Sequence, residues 1–265
     1  MGNFAEKKDM MKEDINSNEF LSVGFDNLLP GASIDCVILG FHEGEVKILL
    51  NRFKRHDHWM LPGGFVQLDK SLDDAANWIL YNRTKLKDCY LRQFHTFGDP
   101  KRANIDENKK ILIENGIDPN KPHWLLQRFI SIGYYALIDY RRAKIKTNKT
   151  EEYQWFSLEN IPELYSDHNH IVKKAMQELR LHIYTIPIGI DLLPEKFTLS
   201  ELRTIYETVL AKKIDRRNFQ RKMLSDGLIY KLDEVSKKFG VKETTLFSFN
   251  KEKYKDALEN GMMFL

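Results

Sequence analysis

The residues best placed to do chemistry fall in one stretch, WMLPGGFVQLDKSLDDAANWILYNRTKL, residues 59–86. Pro62-Gly63-Gly64 gives a tight turn. Ser71 then caps a helix that carries Leu72, Ala75, Ala76, Ile79 and Leu80 at helical spacing. This is the outline of a phosphate-handling loop and helix, so the question is whether catalytic groups stand on it. Metal-assisted attack on a pyrophosphate needs a carboxylate cluster, because Mg²⁺ or Mn²⁺ takes hard oxygen ligands and must generate hydroxide. Asp69, Asp73 and Asp74 crowd the helix start, where the helix dipole favours acids. The later turns carry Asn82 and Arg83 instead, and an arginine repels a cation. The expectation is a domain that binds without cutting, with no catalytic residues, no metal site and no cofactor. Asp167-His168, with His170 close by, offers acid–base types, but a histidine after an aspartate at a helix start reads as a cap neighbour.

A second stretch, AKKIDRRNFQRK over residues 211–222, sets Lys212, Lys213, Arg216, Arg217, Arg221 and Lys222 against a single acid, Asp215. The chain has a net charge of +3, and the excess lies entirely in residues 191–265. A polyanion is the usual reason for such a patch. With Asp215 as N-cap, helical spacing turns Phe219, Met223 and Leu224 inward and Arg216, Arg217, Gln220 and Arg221 outward. Arginine pairs bidentately with guanine and Asn or Gln with adenine, and the early residues of a recognition helix reach base edges first. The candidate DNA contacts are therefore Arg216, Arg217, Asn218, Gln220, Arg221 and Lys222. Lys237 and Lys238, on the loop of a following hairpin, would meet phosphate.

The elements that position these residues follow from periodicity. At 265 residues, with 42% hydrophobic residues, the chain can bury one large core or two modest ones. No apolar run reaches the length of a membrane span and no secretory signal is legible, so a cytoplasmic protein with no membrane contact is expected. Cys36 and Cys89 lack a CxxC partner and read as buried packing residues. Residues 1–20 read as a polar arm. Residues 33–41 and 45–52 form a hairpin about His42-Glu43-Gly44, strands follow at 89–97, 125–138 and 151–157, and an amphipathic helix runs from His170 to Leu181. Residues 103–124 form a polar insertion with a short helix ending at Asn115-Gly116. Strands and helices in this order make an α/β sandwich with a mixed sheet, over residues 21–184. A Pro/Gly-broken linker spans 185–195. Beyond it, Thr198 and Glu201 form a capping box, and helix, turn, helix and hairpin outline a smaller winged helix-turn-helix, residues 196–265.

Residues 59–86 resemble the Nudix box, whose pattern ends in a metal-binding glutamate pair. With its glycine on Gly64, Lys70 takes the first glutamate position, Trp78 and Ile79 the Arg-Glu positions, and Asn82 and Arg83 the glutamate pair. The Phe97-Gly98-Asp99-Pro100 turn, the strand from Arg128, Trp155-Phe156, Asp167-His168 and the two helices near the C-terminus are similar to features of Nudix-related transcriptional regulators. These join a Nudix-like α/β/α sensor to a winged helix, and the likeness covers residues 20–250. The resemblance implies a repressor that binds an inverted-repeat DNA operator as a homodimer. Its effector would be ADP-ribose or a sugar such as arabinose. For a pocket that binds without cleaving, Arg52, Lys54 and Arg128 are candidates for phosphate or sugar hydroxyls, and Trp59, Phe65 and Tyr134 for stacking on a ring. Two other readings stay open. One is a divergent hydrolase of nucleoside diphosphate derivatives using Asp69, Asp73, Asp74 and Asp167. The other is an interaction module whose basic tail meets an acidic partner.

Overall fold

The computed structural model of the chain describes residues 28–87, 89–145, 147, 150–236 and 243–261. Its organising strand is β1 (Leu28–His42), which turns through Glu43 and Gly44, both at positive φ, into β2 (Glu45–Phe53). Such a turn matches the right-handed twist of the strands it joins. β1 is long enough to hold two partners on one edge. Ile38 to His42 pair with β2, whereas the earlier residues pair with β3 (Gly63–Gln67). On its other edge β1 runs parallel to β5 (Ile130–Ile138). With β4 (Tyr90–Phe97) and β6 (Glu151–Ser157) the mixed sheet has the order β4-β5-β1-β2-β6, and β3 branches off β1. The two glycines expected only to turn the chain thus begin a strand. At Gly63 a Cβ would come within 2.6 Å of both Asp35 Oδ1 and the Ile34 carbonyl, so only glycine allows this pairing.

Alternation along β1 and β5 sorts side chains onto two faces. Ile34, Cys36, Ile38, Ile132, Tyr134 and Ala136 pack under α1 (Leu72–Thr84), which buries Ala75, Ala76, Ile79 and Leu80. Val37, Leu39, Tyr135 and Leu137 face α3 (His168–His182). Cys36 is buried as expected, but Cys89 is only half-buried, because it lies before β4 in the segment leaving α1. The insertion folds as α2 (Ile105–Glu114), capped by Asn104 and ended at Asn115. Its Ile111 and Leu112 join Trp124 and Leu125 in a third apolar cluster with Phe53, Phe65 and Tyr165.

The C-terminal part comprises β7 (Phe197–Thr198), α4 (Leu199–Leu210), α5 (Arg216–Ser225), β8 (Ile229–Ser236), β9 (Thr244–Phe249) and α6 (Lys251–Asn260). The three strands form a sheet in the order β7-β9-β8. Thr198 makes the full capping box with Glu201 at the start of α4, and Asp215 caps α5. Phe219 and Met223 point inward, but Leu224 is 37% exposed. One residue further along a helix is about 100° further round, which carries Leu224 off the buried stripe. The helix α6 had no reading in the sequence: it buries only Tyr254 and Ala257 on an otherwise polar surface.

The segment 185–195 is packed rather than free. Ile186, Ile188, Leu192 and Leu193 are buried, and Tyr254 donates its hydroxyl to the Pro187 carbonyl at 2.8 Å. One apolar cluster therefore runs from the sheet through α3 into α4, α5 and β9. Arg180, near the end of α3, adds a hydrogen bond from Nε to the Val209 carbonyl of α4 at 2.9 Å.

Burial in this strap pushes the Asp191 carboxyl up from 3.8 to about 6, with Arg142 pulling the other way. A carboxyl raised on folding contributes stability that is complete below its unfolded value and is lost as pH rises through the folded value. Asp191→Asn should thus leave stability unchanged near pH 3 and raise it by about 1–3 kcal/mol above pH 7. Denaturant titrations of both proteins across that range check the sign: a gain that shrank with rising pH would contradict it.

Candidate functional site

The fork where β1 exchanges β2 for β3 opens a cavity on the α3 side of the sheet. Asn51 and Phe53 of β2, Gly63 to Phe65 of β3, and Ser33 and Asp35 of β1 form its walls. Ile111 of α2, with Trp124, Leu125 and Phe129 beyond it, closes the top. Phe65 sits 4.2 Å from Trp124 and 5.4 Å from Phe129, centroid to centroid, so the chamber is aromatic. Its volume is about 90 Å³, room for a few waters or one small ring.

Two arginines enter this apolar chamber, Arg102 buried and Arg83 half-buried. Arg83 stands at one of the two positions that align with the glutamate pair of the Nudix box. Its Nη1 donates to Glu151 Oε2 at 2.7 Å and to the Tyr153 hydroxyl, and its Nη2 to the Gly63 carbonyl at 3.3 Å. Burial works against its charge, but Glu151 and Tyr153 outweigh burial and hold the guanidinium above its ordinary value. Arg102 forms a two-point pair with Asp167, 3.0 Å on each arm, and reaches Asp35 at 3.5 Å. Its guanidinium lies 5.0 Å above the Phe129 ring. Among the described residues Nη1 of Arg102 and Oδ1 of Asn51 are buried without a hydrogen-bond partner. Buried polar groups are nearly always satisfied, so a donor and an acceptor left open in one cavity point to a polar ligand. His168 accepts the Leu61 amide at Nδ1 (2.9 Å) and turns Nε2 toward Asp35 at 3.7 Å. Burial lowers its pKa, which keeps the ring neutral despite Asp35 and Asp167.

Of the six residues expected around a ligand, Phe65 alone lines this cavity. Tyr134 is on the opposite face, 2.7 Å from Asp73 of α1, because it is one residue out of phase with Tyr135. Arg52 pairs with Glu152 and stacks on Trp59, which itself packs on Phe156. Lys54 is exposed beside a separate indentation near Glu114, and Arg128 is exposed with its guanidinium on the Gly98 carbonyl. The acids of the hydrolase reading do not converge. Asp73 is held by Tyr134, Asp74 by Ser71, Asp167 by Arg102, and Asp69 stands exposed beside Lys70. Together with Arg83, this arrangement does not fit a catalytic Mg²⁺ site. A signal for Arg83 was present in the sequence at a metal-ligand position. Arg102 and Asp35 carried none and His168 only its place after Asp167, since three separate elements bring them together.

In the winged helix, α5 presents Arg216, Arg217, Asn218 and Arg221 to solvent, with Gln220 and Lys222 half-buried. Arg221 is held by the Asn218 side chain at 3.0 Å, and Lys222 lies 3.4 Å from Asp226. Lys237 and Lys238 lie outside the described residues.

Residues 189–249 match the family model of the NrtR DNA-binding winged helix domain. The ADPR responsive transcriptional repressor NtrR of Acinetobacter baylyi is 28% identical over 232 residues, covering 85% of this chain and 84% of that protein. The chain is thus similar over most of its length to a transcriptional repressor, and over residues 189–249 to a DNA-binding winged helix domain. Shewanella oneidensis NrtR, crystallised with a 27mer DNA, has the same fold, with a TM-score of 0.65 at 23% identity over 84% of this chain and 95% of that one. A MutT/nudix family protein from Enterococcus faecalis is also similar, with a TM-score of 0.61 at 21% identity over 94% of this chain and 100% of that one. At a position that aligns with a glutamate of the Nudix box, helix α1 of this chain carries Arg83. No helix among the described residues is long and apolar enough to cross a membrane.

Because Arg83 and Glu151 are both largely buried, each is the other's counter-charge. Glu151→Gln should cost about 3 kcal/mol of folding stability, because it strands the guanidinium. An unfolding midpoint unchanged from the parent would show that the pair does not hold the fork together.

Proposed function

We propose that the chain is a sequence-specific DNA-binding transcriptional regulator, acting in the cytoplasm as a repressor. Its Nudix-like domain, within residues 21–184, binds a small effector without hydrolysing it, and its winged helix, within 196–265, binds DNA. The observation that carries this reading is α5. It is capped by Asp215, anchored by Phe219 and Met223, and turns an exposed row of arginines outward from a winged helix welded to a ligand cavity.

The effector favoured is of the ADP-ribose class rather than a simple sugar. An open guanidinium nitrogen suits a phosphate oxygen, and the aromatic walls suit a base. The cavity, at about 90 Å³, is several-fold smaller than the roughly 300–1,000 Å³ of an ordinary ligand site. Such an effector therefore enters only if the α2–Trp124 cover lifts. Arg102 would then leave Asp167, the residue preceding α3, for the incoming phosphate. As α3 packs directly on α4, loss of that pair changes the seating of the recognition helix. A homodimer on an inverted repeat is sensitive to such a shift, because its half-sites lie about 34–36 Å or a multiple apart.

Selection from random duplexes should return an inverted repeat bound with an affinity that falls steeply with salt. Arg216→Ala and Arg221→Ala should each weaken that complex roughly ten- to a hundredfold. Unchanged affinity in both variants would remove α5 as the reading helix. ADP-ribose should release the operator from the parent protein; Arg102→Met, which lacks the pair with Asp167, should bind the operator weakly whether or not ADP-ribose is present, and arabinose should do nothing. Release of AMP or phosphate with Mn²⁺, lost in Asp73→Asn, would instead support a hydrolase.

A further inference from the structure

The loop from β2 to β3 carries two histidines that neither the cavity nor the DNA-binding face employs. His56 is buried, His58 is half exposed, and both turn toward Glu107 in the first turn of α2, about fifty residues along the chain. Nε2 of His56 lies 3.4 Å and Nδ1 of His58 2.6 Å from the same oxygen, Oε1 of Glu107. All three ligand atoms fall within 4.8 Å of one another. We propose that His56, His58 and Glu107 form a Zn²⁺ site that fastens the insertion helix α2 to the β2–β3 loop.

The donor set fits that ion. Two imidazoles and one carboxylate, with a water in the fourth position, are a recurrent tetrahedral zinc environment, and hard cations such as Mg²⁺ prefer oxygen alone. The open position is available because the His58 side chain is 44% exposed, whereas those of His56 and Glu107 are only 6% and 12% exposed. Bond lengths of about 2.0–2.1 Å place tetrahedral ligand atoms about 3.3 Å apart, so the His56–Glu107 spacing already suits a shared ion. The His58–Glu107 contact has to open by less than about 1 Å, which rotation of a half-exposed ring supplies.

The surroundings also orient the ring. Nδ1 of His56 lies 3.4 Å from the His58 carbonyl and 3.2 Å from the His58 amide nitrogen. Without metal it accepts the amide and leaves the ring proton on Nε2, facing Glu107. With the proton on Nδ1 it donates to the carbonyl and frees the Nε2 lone pair for the ion, the usual support for a metal-bound histidine. Arg55, the neighbouring cation, is directed away, its Nη1 2.9 Å from the Glu114 carbonyl at the far end of α2.

The test uses the full chain, stripped with a chelator and then titrated with Zn²⁺, and with Co²⁺ as an optical probe. One ion per chain should bind, Co²⁺ should show the intense visible bands of tetrahedral coordination, and Zn²⁺ should raise the melting temperature. His58→Ala and Glu107→Gln should each weaken binding by at least about 100-fold, more than the loss of an orienting neighbour, and abolish the thermal shift. His95→Ala, an exposed histidine on β4, should change nothing. Should Glu107→Gln fail to fold, His58→Ala decides alone. Absence of a bound ion, or equal retention by the parent and His58→Ala, overturns the site. Neither outcome depends on DNA or effector binding, so the site can fail while the regulator reading stands.

Discussion

The packing of α3 on two partners at once is the constraint on which the rest of the molecule depends. Ile171, Val172, Ala175 and Leu179 bury the helix between the sheet and the winged helix, and the same apolar cluster continues into Leu202, Ile205 and Phe219. Interiors this well packed respond to a displaced helix by repacking rather than by bending smoothly. The strap from Thr185 to Glu195 reinforces this, for its isoleucines and leucines are core residues and not a tether. A swinging arm with two independent domains is incompatible with that burial.

The second determinant is the reversal of charge in the box helix. A hydrolase of this fold would gather carboxylates around a cation that comes from solution. Here the cation is covalently part of the chain. Arg83 is neutralised by Glu151 and braced by Tyr153 and the Gly63 carbonyl, in the fork that the divergence of β2 and β3 creates. A buried ion pair gives little net stability once desolvation is counted, yet removing either member leaves an uncompensated charge. The pair therefore keeps the fork's shape and fixes a cation within it. Arg102 differs in having one nitrogen open, and a ligand is the group that would satisfy it.

The insertion makes the chamber small. Residues 103–124 supply the Ile111, Trp124 and Leu125 surface that caps the aromatic walls, and Asn108 ties α2 down through the Leu125 carbonyl at 2.8 Å and the Tyr165 hydroxyl. The fold is thus a sheet whose cavity the insertion covers.

Local signals in the sequence determined much of this. The Glu43-Gly44 turn, the Ser71, Thr198 and Asp215 caps, the stripes of α1, α3 and α4, and the missing glutamates at Asn82 and Arg83 were all legible. Each depends on residues within one or two turns of each other. The outward arginines of α5 followed in the same way from the spacing of Phe219 and Met223. Only the tertiary structure decided the cavity, because its polar groups come from β1, β2, α1, α3 and the segment before α2. No period in the chain relates Asp35 to Arg102 or His168. Strand phase put Tyr134 on the face opposite the cavity, and burial packed the expected linker into the core. Such outcomes rest on which surfaces meet, and that is settled by the packing of whole elements rather than by any residue's neighbours in sequence.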